Sequence, residues 1–333
     1  DFIKETPLSD VLPFVEKDWQ AEGRVTLDGQ FSMPVGEYSS ENSSIDLALE
    51  VTNLEIKMPS LGLEFADLTG NGTFLSPHFL SGSFFGQHFG RPLSLDFRYD
   101  SERLYIDSVG SLSAEDIHQL SGFDSKNFFD GKLDYRGTLI LQMNDAVFPV
   151  FNLDSDLLGL AINVPDSLGK EKADKENLDL SIKFLETGRR YDLRYKFLDG
   201  YLTVGNGDPK GHLRLNSTGS VFLSDPSKVV LSGNLDLFDF LDWNEFLKPY
   251  LEQSGASSLL IEELAIDRVQ IDEFLFTDVT VNGQSLGPEY LLAFESDRLA
   301  GSIKFAQSDQ LSLDVDRLLL PVYNDYAPVD EPS

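Results

Sequence analysis

Apolar and polar residues alternate along most of this chain. Ile45, Leu47, Leu49 and Val51 alternate with polar or small residues, as do Leu93, Leu95, Phe97 and Tyr99. The pattern returns at Leu178, Leu180, Ile182 and Phe184, and again at Tyr191, Leu193, Tyr195 and Phe197. Period two puts successive side chains on opposite faces of a strand, so each of these segments predicts a strand with one apolar and one wet face. Ile303 and Phe305 continue the pattern near the C-terminal end. Before residue 45, GRVTLDGQFSMPVG reads as a strand and loop, and Leu8 to Trp19 as a short helix.

Two further helices interrupt the strands. Ser113, followed by Ala114-Glu115-Asp116, has the spacing of an N-cap with a box partner at N3, which predicts a helix over 113–120. The second covers about 239–252, where Phe240, Trp243, Phe246, Leu247 and Tyr250 fall at helical spacing and read as a core stripe. Gly70-Asn71-Gly72 and Asn206-Gly207-Asp208-Pro209 read as turns. The Lys/Glu-rich stretch 166–177 reads as a solvated loop.

From Leu264 to Val281 the apolar pairs Leu264/Ile266, Val269/Ile271, Phe274/Phe276 and Val279/Val281 are each offset by five residues. A shift of odd length moves side chains to the other face. Bulges or tight turns at Asp267-Arg268, Asp272-Glu273 and Thr277-Asp278 resolve the conflict, and bulges bend a sheet. The fold class expected is mainly β: a long, strongly curved, predominantly antiparallel sheet forming an apolar groove, with two short helices. A short-coiled β-solenoid fits the same spacing. The domain reading is one elongated segment over 1–320 and a polar, Pro-containing tail or linker over 321–333.

Charge narrows the partner classes. The 56 acidic and 26 basic side chains give a formal net charge of −30, which repels nucleic acid and anionic headgroup surfaces. Cysteine is absent, so disulfides and Cys-based metal sites are excluded. No apolar run approaches the length of a membrane span, the N-terminal residues have no signal-peptide pattern, and the chain lacks an initiator Met, which reads as a mature chain or an excised piece.

Nothing in the sequence points to catalysis. GxSxG, the P-loop, HExxH and a helix-opening GxGxxG are all missing. The histidines, His78, His88, His118 and His212, have no metal-ligand spacing; only His78 and His88 are spaced to meet across a hairpin. Asp154/Asp156 and Asp314/Asp316 each share a strand face, an arrangement able to hold calcium or serve as a hydrolase dyad, but in a chain with 56 acids they read instead as a solvated outer face alternating with Leu153, Leu157, Leu313 and Val315. Hence no enzyme, cofactor or metal is expected.

The chain holds 25 Phe and 11 Tyr, and two helices are too few to cover so many strands. The sheet either closes on itself or wraps something apolar. At this point the run SDLLGLAINVPDSLGK, a charged loop, and ENLDLSIKF resemble a signature of the AsmA-like family, YhdP branch. LEFADLTGNGTF, LSGSFFGQ, LSLDFRYDSERLYIDSVGSLSAEDIHQL, GKLDYRGTLIL, LSGNLDLFDFLDWNEFL, LAIDRVQIDEFLFTDVTV, ESDRLAGSIKFAQ and VDRLLLP follow the family's order, from about Trp19 to Pro321.

The resemblance implies an internal or C-terminal segment of a periplasmic protein anchored in the inner membrane. It implies passive movement of phospholipid between inner and outer membranes through a curved β-groove, with phospholipid as transported ligand and both membranes as partners through parts of the full-length protein. The groove-lining candidates are Leu93, Leu95, Phe97, Leu180, Ile182, Phe184, Tyr191, Leu193, Tyr195, Phe197, Ile303 and Phe305. Shielding an acyl chain from water is worth about 0.8 kcal/mol per methylene. The alternative is a closed sandwich or solenoid acting as an interaction module of the envelope, with no lipid ligand.

Overall fold

The computed structural model describes residues 19–32, 44–75, 79–100, 103–121, 127–142, 148–216, 227–243, 245–246, 259–286, 289–306 and 311–319. The expected N-terminal helix, His78, Pro249 and the tail over 321–333 lie outside them. Among the described residues the fold is mainly β and mostly antiparallel, with two short α-helical segments. The strands divide between two compact units: 1–163, 170–196 and 203–206 form one, and 164–169, 197–202 and 207–333 the other.

In the first unit the strands are β1 (Gln20–Ser32), β2 (Ser44–Met58), β3 (Leu63–Leu75), β4 (Phe79–His88), β5 (Arg91–Asp100), β6 (Arg103–Ser113), β7 (Phe129–Gln142), β8 (Val150–Ser155), β9 (Leu160–Ile162), β10 (Leu178–Leu185) and β11 (Gly188–Tyr195). From β1 to β8 each strand pairs antiparallel with the next, and β8 then pairs with β10 and β10 with β11. The short β9 pairs with the start of β7. Residues of β12 (Leu198–Gly205) are shared between the two units.

The helix α1 (Ala114–Ser121) begins where the sequence places it. Asp116 N–H donates to Ser113 Oγ at 3.3 Å, and Ser113 N–H donates to Asp116 Oδ2 at 2.7 Å. This is a reciprocal capping box, satisfying donors that the first turn leaves without helical partners. Arg91 Nε also donates to Asp116 Oδ2, at 2.8 Å, fastening the helix to β5.

The second unit contains β13 (Lys210–Leu215), β14 (Val229–Leu235), β15 (Phe238–Asp239), β16 (Leu259–Ile271), β17 (Phe274–Leu286), β18 (Glu289–Glu295), β19 (Leu299–Ala306) and β20 (Leu311–Leu318). Here β13, β14 and β16 run parallel, and β16 to β20 form an antiparallel meander. After β15, residues 240–243 and 245–246 are helical, the described part of the second expected helix. Asp239 Oδ1 accepts the N–H groups of Leu241 and Asp242, capping it. Trp243 stacks on Phe238 with ring centroids 5.7 Å apart and meets Phe246 edge-on, while its Nε1 donates to Asp166 Oδ2 at 2.7 Å.

The phase flips have a local solution. Asp272-Glu273 is the tight turn between β16 and β17, and the ladder on either side of Asp267 and Asp278 runs through without pairing them. Asp278 takes a left-handed φ of 55°. Both strands therefore turn over together, which keeps Ile266 opposite Val279 and Val269 opposite Phe276, all four buried. A similar set of irregularities crosses β1 to β4, with register shifts at Glu22/Arg24, Val51/Leu54 and Ala66/Thr69 and left-handed Asn53 and Asp67. The expected strong curvature is not found: one flip is taken up by the Asp272-Glu273 turn and others by both strands turning over together at Asp267 and Asp278, and among the described residues β1 pairs with β2 alone and β20 with β19 alone, so neither unit's ladder closes or curls strongly.

Two sequence expectations are corrected. Gly70-Asn71-Gly72 is not a turn but the middle of β3. The stretch 166–177 is not simply a solvated loop, because Lys170 within it is 7% exposed. Its backbone exchanges hydrogen bonds with Ile162, and its Nζ donates to the carbonyls of Leu157, Leu160 and Glu171 at 2.9, 2.8 and 2.8 Å. The other turn cluster, 206–209, does separate β12 from β13.

Candidate functional site: rows of apolar side chains

The strand registers align the alternating residues into rows. One row in the first unit reads Leu27, Leu49, Gly72, Gly82, Phe97, Ile106, Leu139, Phe151, Ile182 and Tyr191, each opposite the next across ten strands. Two residues along each strand lies a second: Val25, Val51, Gly70, Phe84, Leu95, Ser108, Gly137, Leu153, Leu180 and Leu193. Its one polar member, Ser108, is buried and donates to the Gly137 carbonyl at 3.1 Å. Opposite residues in a ladder point to the same side, so twenty positions without a single charge share one face.

Between these two rows runs their complement: Thr26, Glu50, Asn71, Ser83, Asp96, Asp107, Thr138, Asn152, Ser181 and Asp192. Its members bond to one another across strands. Ser83 Oγ donates to Asp96, Thr138 Oγ1 to Asp107 at 2.7 Å, and Ser181 Oγ to Asn152 at 2.8 Å. The Arg98 guanidinium on Asp107, aided by Thr138, holds that carboxyl below the usual range. One face is thus wet and hydrogen-bonded, the other dry.

Glycines shape the dry face. At Gly137 a methyl group would stand 2.5 Å from the Phe151 ring, at Gly72 2.5 Å from a Leu49 methyl, and at Gly82 2.8 Å from the Phe84 ring. Large side chains lie across these empty positions instead of standing up from the sheet. Phe84 and Phe97 meet edge to face at 5.2 Å.

The second unit repeats the arrangement. Leu213, Leu231, Ile261, Gly283, Leu292, Ile303 and Leu313 are successive partners across seven strands. Beside them run Leu264, Val281, Phe294, Gly301 and Val315.

The expected lining residues are distributed among three hydrophobic clusters. Leu93, Leu95, Phe97, Ile182 and Phe184 belong to one, together with Leu104, Leu139 and residues of the β2–β3 turn. Leu180 and Tyr195 belong to a second with Tyr135, Leu153, Leu157 and Leu160. Phe197 packs in the second unit's cluster. Tyr191 and Leu193 are half-buried partners of Ile182 and Leu180. Ile303 sits in the seven-strand row, and the side chain of Phe305 lies outside the described residues. Burial pushes the Tyr135 phenol up to about 12, against a hydrogen bond with Ser108 that acts in the opposite direction, and burial also raises Tyr195.

Exposure varies along the rows. In the middle Leu95 is 2% exposed, covered by the protein's own side chains, whereas Val25 and Leu27 on β1 are 49% and 50% exposed. On β20 Leu313 and Val315 are likewise exposed.

Sequence reasoning missed the contributions of β7 and β8, although Leu133, Tyr135, Gly137, Leu139 and Leu141 alternate plainly, and it missed every row glycine. It also missed Arg189, which keeps phase with Tyr191 and Leu193.

The chemistry weighed from sequence does not assemble. Asp154 faces Asp179 rather than Asp156, and desolvation followed by that neighbouring carboxyl raises it above the ordinary carboxylate range. Asp156 instead accepts from Lys175 at 2.9 Å. His88 is buried, its Nδ1 2.6 Å from the Glu64 carbonyl, and His212 bonds to Ser232. Among the described residues no three His, Asp or Glu side chains gather to hold a metal ion, and no helix is long and apolar enough to cross a membrane.

Among protein families, the model described as YhdP protein matches residues 1–333. No curated protein and no solved structure matches the chain.

Proposed function

This chain belongs to the YhdP family, and we propose on that footing that its apolar rows shield phospholipid acyl chains in the bacterial envelope. The observation that carries the reading is the uncharged face running across ten consecutive strands. Each methylene moved from water onto such a face gains about 0.8 kcal/mol, so a chain of about fifteen carbons gains on the order of 12 kcal/mol. Movement then needs no chemistry: a tail slides from one strand to the next while its headgroup stays in water. The periplasm is the compartment that fits, with inner and outer membranes as source and destination and the wet acidic face outward.

The interaction-module reading draws on the covered middle of the face, where Leu95, Leu139 and Leu153 are shut off by neighbouring side chains. The two are separated by extracting the purified chain with organic solvent and analysing the extract by mass spectrometry. Co-purifying phospholipid is expected, and Ile182→Asp on the dry row should abolish it while Ser181→Asp on the wet row leaves it. A lipid-free extract from the native chain, with no uptake of added phospholipid, would sink the proposal.

A further inference from the structure

The uncharged face of the first unit ends at an arginine. Arg189 is the register partner of Phe184 and has the phase of Tyr191, Leu193 and Tyr195 on β11. Its guanidinium lies over the Phe184 ring, with Cζ 5.5 Å from the centroid. Two of its donors are engaged: Nη1 donates to the Leu120 carbonyl at 3.1 Å and Nη2 to the Leu61 carbonyl at 3.2 Å. Leu120 is in the last turn of α1, where carbonyls lack helical partners, and Leu61 is in the β2–β3 turn. Space for the fork is kept by Gly62, at φ +66°, where a methyl group would stand 2.7 Å from Nη2.

Both partners are neutral carbonyls, which orient the guanidinium without cancelling its charge. Five N–H donors belong to arginine, so among the described residues three remain beyond those two bonds. The side chain is half-buried, with an aromatic face on one side, so it is less hydrated than a surface lysine. From Arg189 to Tyr195 the strand covers about 20 Å, comparable to an extended acyl chain.

We infer that Arg189 binds the phosphate of a lipid whose acyl chain lies along β10 and β11, marking the headgroup end of the apolar face. This rests on the lipid-shielding reading above. A planar fork of donors matches phosphate oxygens in pairs. The chain's net charge of −30 makes the inference sharp, because the remaining surface disfavours an anionic ligand.

The test compares dioctanoyl phosphatidic acid with dioctanoylglycerol, which have the same tails with and without phosphate. Binding to the full chain is measured by isothermal titration calorimetry, with inorganic phosphate alone as a third ligand. Phosphatidic acid should bind about tenfold tighter than the glyceride, the size of one charge-assisted contact. Molar salt should erase the difference. Arg189→Gln should remove the preference while keeping glyceride binding, and Arg189→Lys should retain part of it. Equal binding by the native chain, an undiminished preference in Arg189→Gln, or phosphate binding as tightly without a tail would each overturn the inference. Should Arg189→Gln not fold, the native preference and its salt dependence decide alone. Glyceride binding without preference leaves the lipid reading standing and removes only Arg189; binding of neither amphiphile removes both.

Discussion

Gly70 stands directly opposite Phe84, and a methyl group at Gly70 would lie 2.9 Å from the ring and 2.1 Å from the Ser83 carbonyl oxygen. The second clash is with backbone, which cannot step aside as a side-chain tip can. Gly70→Ala should therefore cost about 2 kcal/mol, within the range for overfilled sites. A urea unfolding midpoint measures it. Gly207, with nothing within 4 Å of a methyl group, is the control, and Gly207→Ala should stay within about 0.5 kcal/mol of the native chain.

Lys170 should matter far more than the lysines beside it. Its ammonium satisfies three carbonyls in the segment that packs Leu157 and Leu160, each 1% exposed. Lys170→Met keeps the stem but orphans those carbonyls, at about 1–3 kcal/mol for a single unsatisfied group. Lys172 and Lys175 make exposed ion pairs with Asp130 and Asp156, and their alanine variants should change stability by under about 1 kcal/mol. Equal effects from Lys170 and Lys175 would contradict the caging role.

Asp116 joins two restraints in one carboxylate, the capping box with Ser113 and the contact with Arg91. Asp116→Ala should cost about 2 kcal/mol, more than a cap alone, because Arg91 is left without its acceptor. Burial pushes this carboxyl up, but the Ser113 N–H, Arg91 and the Ser113 hydroxyl together bring it below its ordinary value. Its contribution is present above an unfolded value of about 3.9 and is lost as pH falls through the lower folded one. The acid limb of native stability should therefore flatten in Asp116→Ala.

His88 and His212 act at milder pH. Burial lowers both, against the Glu64 carbonyl at His88 and reinforced by Arg214 at His212. A histidine lowered by folding binds its proton more readily in the unfolded chain, so stability should begin to fall as pH drops through about 6.5. Thermal melts between pH 8 and pH 5 should show this decline, and His88→Gln should weaken it. A flat melting temperature across that interval would contradict the burial of these rings.

Alternation at β5, β10 and β11 was legible because period two is written locally, in consecutive residues. The capping box at Ser113 was legible for the same reason. Gly70-Asn71-Gly72 misled because its local signature is that of a turn, while the cause of its glycines, Leu49 and Phe84 lying across them, comes from other strands. Lys170 misled because lysine-rich composition implies water, and the three carbonyls that hold it leave no trace in residue identity. The rows themselves required registers, which pair residues far apart in the chain: Arg189 reaches a carbonyl 128 residues away.

The register of the rows also sets which changes of length the protein tolerates. Adding or removing a whole hairpin inserts two strands and leaves every remaining side chain on its original face. Adding one residue inside a strand exchanges dry for wet along the rest of it. Paired insertions at facing positions, such as the unpaired Asp267 and Asp278, are the exception that keeps partners matched. The antiparallel stretches from β1 to β8 and from β16 to β20 are therefore modular in units of two strands, and a hairpin duplicated at an outer edge extends their span without moving any side chain to the other face.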